Sequence, residues 1–184
     1  MARKKGVRVI ILGEDNRQVS FARRVLIILG FSRHEIHEEP VPNGDGSGAQ
    51  WVQSDYPKQV AVNRSKRSHQ QCTLLVSIDR DNNTIENRKQ QFDKILKSKQ
   101  MEPRADDEPI AIWVPSQNIE TWISHFSGQD VDEATDYKNK VRSQEMEQAV
   151  AGFVAEFRQW KQSPDVLKTL PSLLDAYEEL GRIL

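Results

Sequence analysis

Two apolar runs, far apart in the chain, each end in acid. Val7-Arg8-Val9-Ile10-Ile11-Leu12 leads into Gly13-Glu14-Asp15, and Thr73-Leu74-Leu75-Val76-Ser77-Ile78 leads into Asp79-Arg80-Asp81. Short runs of this kind, nearly continuous in apolar residues, suit strands buried on both faces of a parallel sheet. Acids just past such strands lie where open α/β sheets place their ligand crevices. Three carboxylates gathered there repel one another unless a cation sits between them. Hard divalent cations such as Mg²⁺ take oxygen ligands of this type.

The rest of the chain alternates in the same style. The first run predicts a strand over 7–13. Arg17–Leu29 carries Phe21, Val25, Ile28 and Leu29 at helical spacing, with Gly30 as a stop. His34–Val41 reads as a short strand and Pro42–Gly48 as a flexible loop. Val52, Tyr56 and Val60 share a face within Gln50–Arg67, where Pro57 predicts a kink or two short helices. Cys72–Asp79 is the second core strand. Thr84–Ser98 is helical with Ile85, Phe92, Ile95 and Leu96 inward, and Pro109–Val114 is a third apolar strand.

From Asn118 the pattern turns helical. Ile119, Trp122, Ile123 and Phe126 form a short amphipathic helix, and Gly128–Asn139 is a polar, acidic loop. Ser143–Gln162 follows, with Ser143 as a possible cap and Met146, Val150, Phe153, Phe157 and Trp160 in one stripe. A last helix lies near Ser172–Leu184. The expected fold is therefore α/β, a mostly parallel Rossmann-like sheet flanked by helices, over residues 1–126. Residues 127–184 form a C-terminal helical extension packed on it as a single compact unit.

Bulk properties narrow the function. A chain of 184 residues can bury roughly 70% of its unfolded surface and needs no disulfide or structural metal to fold. Its one cysteine, Cys72, heads an apolar strand, which fits a buried thiol in a reducing, cytoplasmic compartment. The apolar stretch after the basic start Met1–Lys5 is too short for a signal peptide, and no run approaches the ~20 apolar residues of a membrane span. Net charge is −1 with 29% charged residues, so any nucleic-acid contact uses local patches.

Asp79 and Asp81 are two apart, and in an extended chain both would point to one side with Arg80 opposed. The same Asp-Arg-Asp-Asn-Asn stretch is rich in turn formers, and Asp81 or Asn83 could cap the next helix. Glu120, beside Ile119 and Trp122, is either a site acid or a residue complementing a helix dipole, and Asn118 could be that helix's N-cap. Lys58, Arg64, Lys66, Arg67, Arg80, Arg88 and Lys89 could track a nucleic-acid backbone or form a solvated helix face. The Gly44–Gly48 loop has the freedom of a phosphate-binding nest but lacks the P-loop lysine. His34 and His37 with Glu38 have a superficially metal-like spacing, but in a strand the two histidines, three apart, face opposite sides, which argues against a zinc site. Trp51, Trp113, Trp122 and Trp160 are core or interface anchors.

Leu12-Gly13-Glu14 and Ser77-Ile78-Asp79-Arg80-Asp81 resemble, in order and position, the two acidic motifs of the TOPRIM domain. That is the metal-binding α/β module of topoisomerases, DnaG-type primases and OLD-family nucleases. Pro115-Ser116-Gln117-Asn118-Ile119-Glu120-Thr121-Trp122 is similar to a Pro-x-x-Asn-Ile-Glu-Thr-Trp motif in a small TOPRIM-like family of bacterial proteins. The loop Gly44–Gly48 with Trp51-Val52 and Tyr56-Pro57 looks similar to that family too. The resemblance covers roughly residues 7–126. One departure stands out. TOPRIM domains often carry Gly directly after the first Glu, whereas here Gly13 precedes it and Asp15 follows, leaving Glu14 and Asp15 as rivals for the site.

The resemblance implies a TOPRIM-like nuclease using Mg²⁺ (or Mn²⁺) to cleave DNA or RNA. Asp79 and Asp81 would hold the metal, and Glu14 would be a further ligand or the general acid/base. Glu120 would be a fourth site acid, and Arg64, Lys66, Arg67 and Arg80 would contact nucleic acid. Small stand-alone members resemble effectors of bacterial antiviral defence or toxin systems, so an ATPase partner and a homo-oligomer are compatible with it, and no membrane is involved. Two rival readings stay open. One is a non-catalytic subunit docked on an ATPase through the Met146–Trp160 stripe. The other is hydrolysis of a small phosphate ester.

Overall fold

The computed structural model describes residues 6–41, 47–138, 144–165 and 167–184. Four parallel strands form one sheet in the order β2-β1-β3-β4: β1 (Val7–Gly13), β2 (Ile36–Glu38), β3 (Gln71–Ser77) and β4 (Ile110–Trp113). Among the described residues six helices flank it: α1 (Asn16–Ile28), α2 (Gly48–Lys66), α3 (Ile85–Ser98), α4 (Ile119–Phe126), α5 (Glu145–Gln162) and α6 (Pro171–Gly181).

Strand alternation splits the core in two. Val9 and Ile11 of β1 face one side, with Leu75, Ala111 and Trp113, under α1, α4, α5 and α6. Ile10 and Leu12 face the other, with Leu74, Val76, Ile110 and Ile112, under α2 and α3. β1, β3 and β4 thus bury apolar residues on both faces, which is why their runs read as continuous, whereas edge strand β2 exposes His37 and Glu38. The first side is built on aromatics. Phe153 packs against Phe21, Trp113 and Tyr177 at ring-centroid distances of 5.5, 5.2 and 5.0 Å. Each such ring contributes roughly 1.5–3 kcal/mol on burial. Trp113 and Trp122 also place their indole N–H groups on the Ala176 carbonyl and the Ser172 hydroxyl. Residues of α5 and α6 therefore complete the same core as β1 and β4.

Several expectations need correction. Of the two alternatives expected at Pro57, a kink or two short helices, the second does not hold: α2 runs as one helix through it. Proline removes only one backbone donor, and burial of Val52, Tyr56, Pro57 and Val60 on one face holds the helix together. Gly48 is the first residue of α2 rather than loop, with Ser47 as its cap; residues 42–46 lie outside the described residues, as does the proposed cap Ser143. Thr84, not Asp81 or Asn83, caps α3. Ile28, assigned to an inward face, is 44% exposed. The Met146–Trp160 stripe is not a free docking face: Val150, Phe153 and Phe157 are buried, and Met146 and Trp160 pack against them.

The outer edge of β4 is closed by side chains. Arg104 donates to the Ile110 carbonyl at 2.9 Å, and Glu179 accepts from the Ile112 N–H at 2.8 Å. The two side chains are themselves ion-paired, a shield against pairing by another strand. Cys72 is buried and free.

The strand order has one reversal of direction. From β1 the chain steps outward to β2, then returns across β1 to β3. The direction reverses between β1 and β3, which makes their C-terminal ends the switch point of the sheet. Register brings the ends level, with Gly13 opposite Ser77 and Ser77 opposite Trp113.

Candidate functional site

Glu14 and Asp79 leave the sheet at that switch point. Asp15, next to Glu14, is the N-cap of α1, and its Oδ1 accepts from the N–H groups of Arg17 and Gln18, both at 2.8 Å. This commits Asp15 to the helix. Glu14 reaches across to β3, where its Oε2 accepts from the Asp79 N–H at 2.9 Å. Of the two rivals after β1, Glu14 is therefore the one joined to Asp79.

Gln18 completes the link. It is 1% exposed, and its amide serves both acids. Oε1 accepts from the Glu14 N–H at 3.0 Å, and Nε2 donates to Asp79 Oδ1 at 2.6 Å. The amide supplies the acceptor at one point and the donor at the other. The sequence alone does not single out Gln18, since glutamine on a helix carries no signal by itself. Its one trace was a polar residue on the inward face of a helix starting just after the acid.

A glycine lets α2 approach. A Cβ on Gly48 would lie 2.2 Å from the Glu14 carbonyl oxygen and 2.5 Å from Glu14 Cγ. Glycine there is a packing requirement at the site wall.

The charge balance is acidic. Burial pushes the Asp79 carboxyl up to about 9, and the carboxylates of Glu14, Asp15, Asp81 and Glu120 add to the shift. Glu14 is raised as well, chiefly by burial, against the lowering effect of the Asp79 N–H. Two arginines offset part of this charge. Arg88, 5% exposed, donates Nε to the Asp79 carbonyl at 2.8 Å and ion-pairs with Asp81. Arg17 ion-pairs with Glu120, which is 3% exposed and keeps its second oxygen buried without a partner.

Asp81 departs from the extended geometry expected of it. Its φ is +50°, so the chain turns in the left-handed region and the two-residue alternation with Asp79 is lost. The turn brings Asp81 to Arg88, with its side chain 54% exposed. Asn118 occupies the N-cap of α4 without a side-chain cap bond and donates to Asp136 instead. Among the described residues no group of three or more His, Cys, Asp or Glu side chains could hold a metal ion as it stands. Arg88 and Arg17 draw Asp81 and Glu120 away, leaving Glu14 and Asp79 as the linked pair.

The basic residues do not form one track. Arg64 and Arg67 lie at the far end of α2, beside the start of β3, paired with Glu108 and Asp107. Lys66 is half-buried at the same end. Lys58 and Lys89 pair with Asp55 and Asp175, and buried Arg88 faces inward. Arg80 alone of these sits beside the acids with a half-exposed side chain, and it is paired with Glu133. Arg17, at the site mouth and 38% exposed, joins it; the sequence offered no reason to select it.

Among the described residues no helix is long and apolar enough to cross a membrane. Comparisons with family models, curated protein sequences and solved structures return no match.

Proposed function

We propose that the chain is a divalent-cation-dependent nuclease of TOPRIM-like type, cleaving phosphodiester bonds in DNA or RNA at Glu14 and Asp79. The observation that carries this reading is the hydrogen-bonded junction of the two acids, through the Asp79 N–H and Gln18, at the switch point of a parallel sheet. The donor set fits Mg²⁺ or Mn²⁺. These ions are held by one or two carboxylates together with water and substrate phosphate, rather than by an all-protein cage. Burial and the neighbouring carboxylates push the Asp79 carboxyl up to about 9, surroundings in which a cation would favour its ionised form.

Bound there, the ion would polarise the phosphate and lower the pKa of a coordinated water. Glu14 and Asp79 would each offer it an oxygen. Gln18 holds Asp79 Oδ1 and so fixes the orientation of that carboxylate. Arg17, ion-paired with Glu120, would contact a phosphate oxygen. Arg88 holds the Asp79–Asp81 turn in shape. A role as a defence effector beside an ATPase belongs to this proposal on the strength of the motif resemblance.

The test is cleavage of plasmid, single-stranded DNA and tRNA with Mg²⁺ or Mn²⁺, by the wild type and by Glu14→Gln and Asp79→Asn. Loss of cleavage in both variants supports the reading, and equal behaviour of all three proteins on every substrate refutes it.

A second reading is favoured by the ion pairs Asp81–Arg88 and Glu120–Arg17, which use two of the acids structurally. The protein would then be a non-catalytic partner-binding subunit. Stoichiometric co-purification without metal-dependent cleavage would support it.

A further inference from the structure

An acidic segment lies across the exits of β3 and β4. Gln129-Asp130-Val131-Asp132-Glu133-Ala134-Thr135-Asp136-Tyr137-Lys138 contains four carboxylates and one lysine. It touches the two polar residues that flank the site acids in sequence. Arg80, next to Asp79, donates Nη2 to the Glu133 carbonyl at 2.8 Å, and its Nη1 lies 3.7 Å from Glu133 Oε2. Asn118, two residues before Glu120, donates Nδ2 to Asp136 Oδ1. The Arg80 N–H pairs with the Pro115 carbonyl at 2.9 Å, so the chain paths leaving β3 and β4 run side by side. The segment therefore lies over the exits of β3 and β4, beside the switch point between β1 and β3 where open α/β folds admit their ligands.

We infer that this segment is an internal stand-in for a nucleic-acid backbone, occupying Arg80 and Asn118 and obstructing the approach to Asp79 until a polyanion displaces it. The inference rests on the nuclease reading and adds its regulation. Charge complementarity supports it, since carboxylates sit where phosphates would. The fit of Arg80 to its present partner is incomplete. At 3.7 Å the carboxylate contact is an ion pair without a hydrogen bond, and Arg80 Nε is buried with no partner. A phosphate can take two parallel N–H donors from one guanidinium, which Glu133 does not. The segment keeps other anchors, one to α6 and others within itself. Glu133 Oε1 accepts from the Ser172 N–H at 2.9 Å, and Asp132 caps the N–H groups of Ala134 and Thr135. Release of the two site contacts leaves those internal bonds available.

The double variant Glu133→Gln/Asp136→Asn tests this, because amide oxygens still accept from Ser172, Asn118 and Lys138 while both charges are removed. Fluorescence anisotropy with a labelled single-stranded oligonucleotide, in Ca²⁺ in place of Mg²⁺, reads the affinity, and thermal unfolding confirms the fold. The expected result is binding tighter than wild type by about two- to fivefold. The gain should vanish when Arg80→Gln is added to both proteins. Equal affinity of wild type and double variant overturns the inference alone, as does an undiminished gain in the Arg80→Gln background, which would mark a general charge effect. Absence of binding by every protein, on DNA and RNA probes alike, overturns the nuclease reading and this inference together.

Discussion

Glu14 and Asp79, sixty-five residues apart in sequence, are joined by a single hydrogen bond from the Asp79 N–H to Glu14 Oε2 at 2.9 Å. The bond ties the end of β1 to the end of β3 and turns one strand-end acid toward the other. Most consequences of the account follow from this contact and its immediate surroundings.

Asp79→Asn is expected to stabilise the protein while removing its activity. The Asp79 carboxyl is raised from its ordinary range to about 9 by burial and by four neighbouring carboxylates. A raised pKa means that the folded state holds the proton more tightly than the unfolded state. The contribution is fully present at acidic pH and is lost as pH rises toward about 9. Asparagine does not titrate, so the variant gains on wild type across that window. Metal-free thermal unfolding from pH 5 to 9 should show a Tm difference that grows with pH, reaching a few degrees for each ~1 kcal/mol. A difference independent of pH would contradict the assignment.

Gln18→Met keeps the length of the side chain but removes both hydrogen bonds of the bridge. Loss of a buried bridge of this kind costs about 1–3 kcal/mol. It should raise the Mg²⁺ concentration needed for thermal stabilisation by roughly tenfold, in the range reported for groups that orient metal ligands. Gln18→Glu should be worse, since it sets a carboxylate against Asp79 in place of a donor. Unchanged Mg²⁺ dependence in both variants would remove Gln18 from the site.

Gly48→Ala places a methyl group where the Glu14 backbone already stands, 2.2 Å from its carbonyl oxygen. Either α2 or Glu14 must move. Overpacking of this kind costs about 1–3 kcal/mol. Urea unfolding measures the loss, and the linewidth of the Glu14 amide in NMR spectra should report the displaced strand end.

At the β4 edge, burial opposes ionisation of Glu179, but Arg104 and Lys89 outweigh it and hold its carboxyl below the ordinary range. A depressed pKa contributes stability above the unfolded value, and that stability is lost as pH falls through the folded value. Glu179→Gln should therefore cost about 3–5 kcal/mol at pH 7, by leaving Arg104 buried without its charge partner, and the cost should shrink in acid. Chemical unfolding at pH 7 and pH 4 checks the sign.

Much of this was legible in the chain. Continuous apolar runs over 7–12 and 73–78 announced buried parallel strands, because burial on both faces leaves no polar alternation. The acids after them marked the crevice, because strand ends define it. What escaped was whatever depends on a partner distant in sequence. Asp15 and Glu14 look equivalent until α1 claims one as its cap. Asp81 reads as a second inward acid until a left-handed φ sends it to Arg88. Arg64 and Arg67 resemble a basic track until the length of α2 carries them to the other end of the sheet. Pro57 signals a break that helix burial overrides. Gln18 gave no signal, since its role exists only once Glu14 and Asp79 meet.

The proposed nuclease site requires Glu14 and Asp79 together to hold one divalent cation. Anomalous diffraction from crystals soaked in Mn²⁺ tests it most directly. The account predicts a peak at the C-terminal ends of β1 and β3, with an oxygen of each acid about 2.0–2.6 Å away, completed by water. A peak that neither carboxylate touches, or no peak at saturating Mn²⁺, would contradict it.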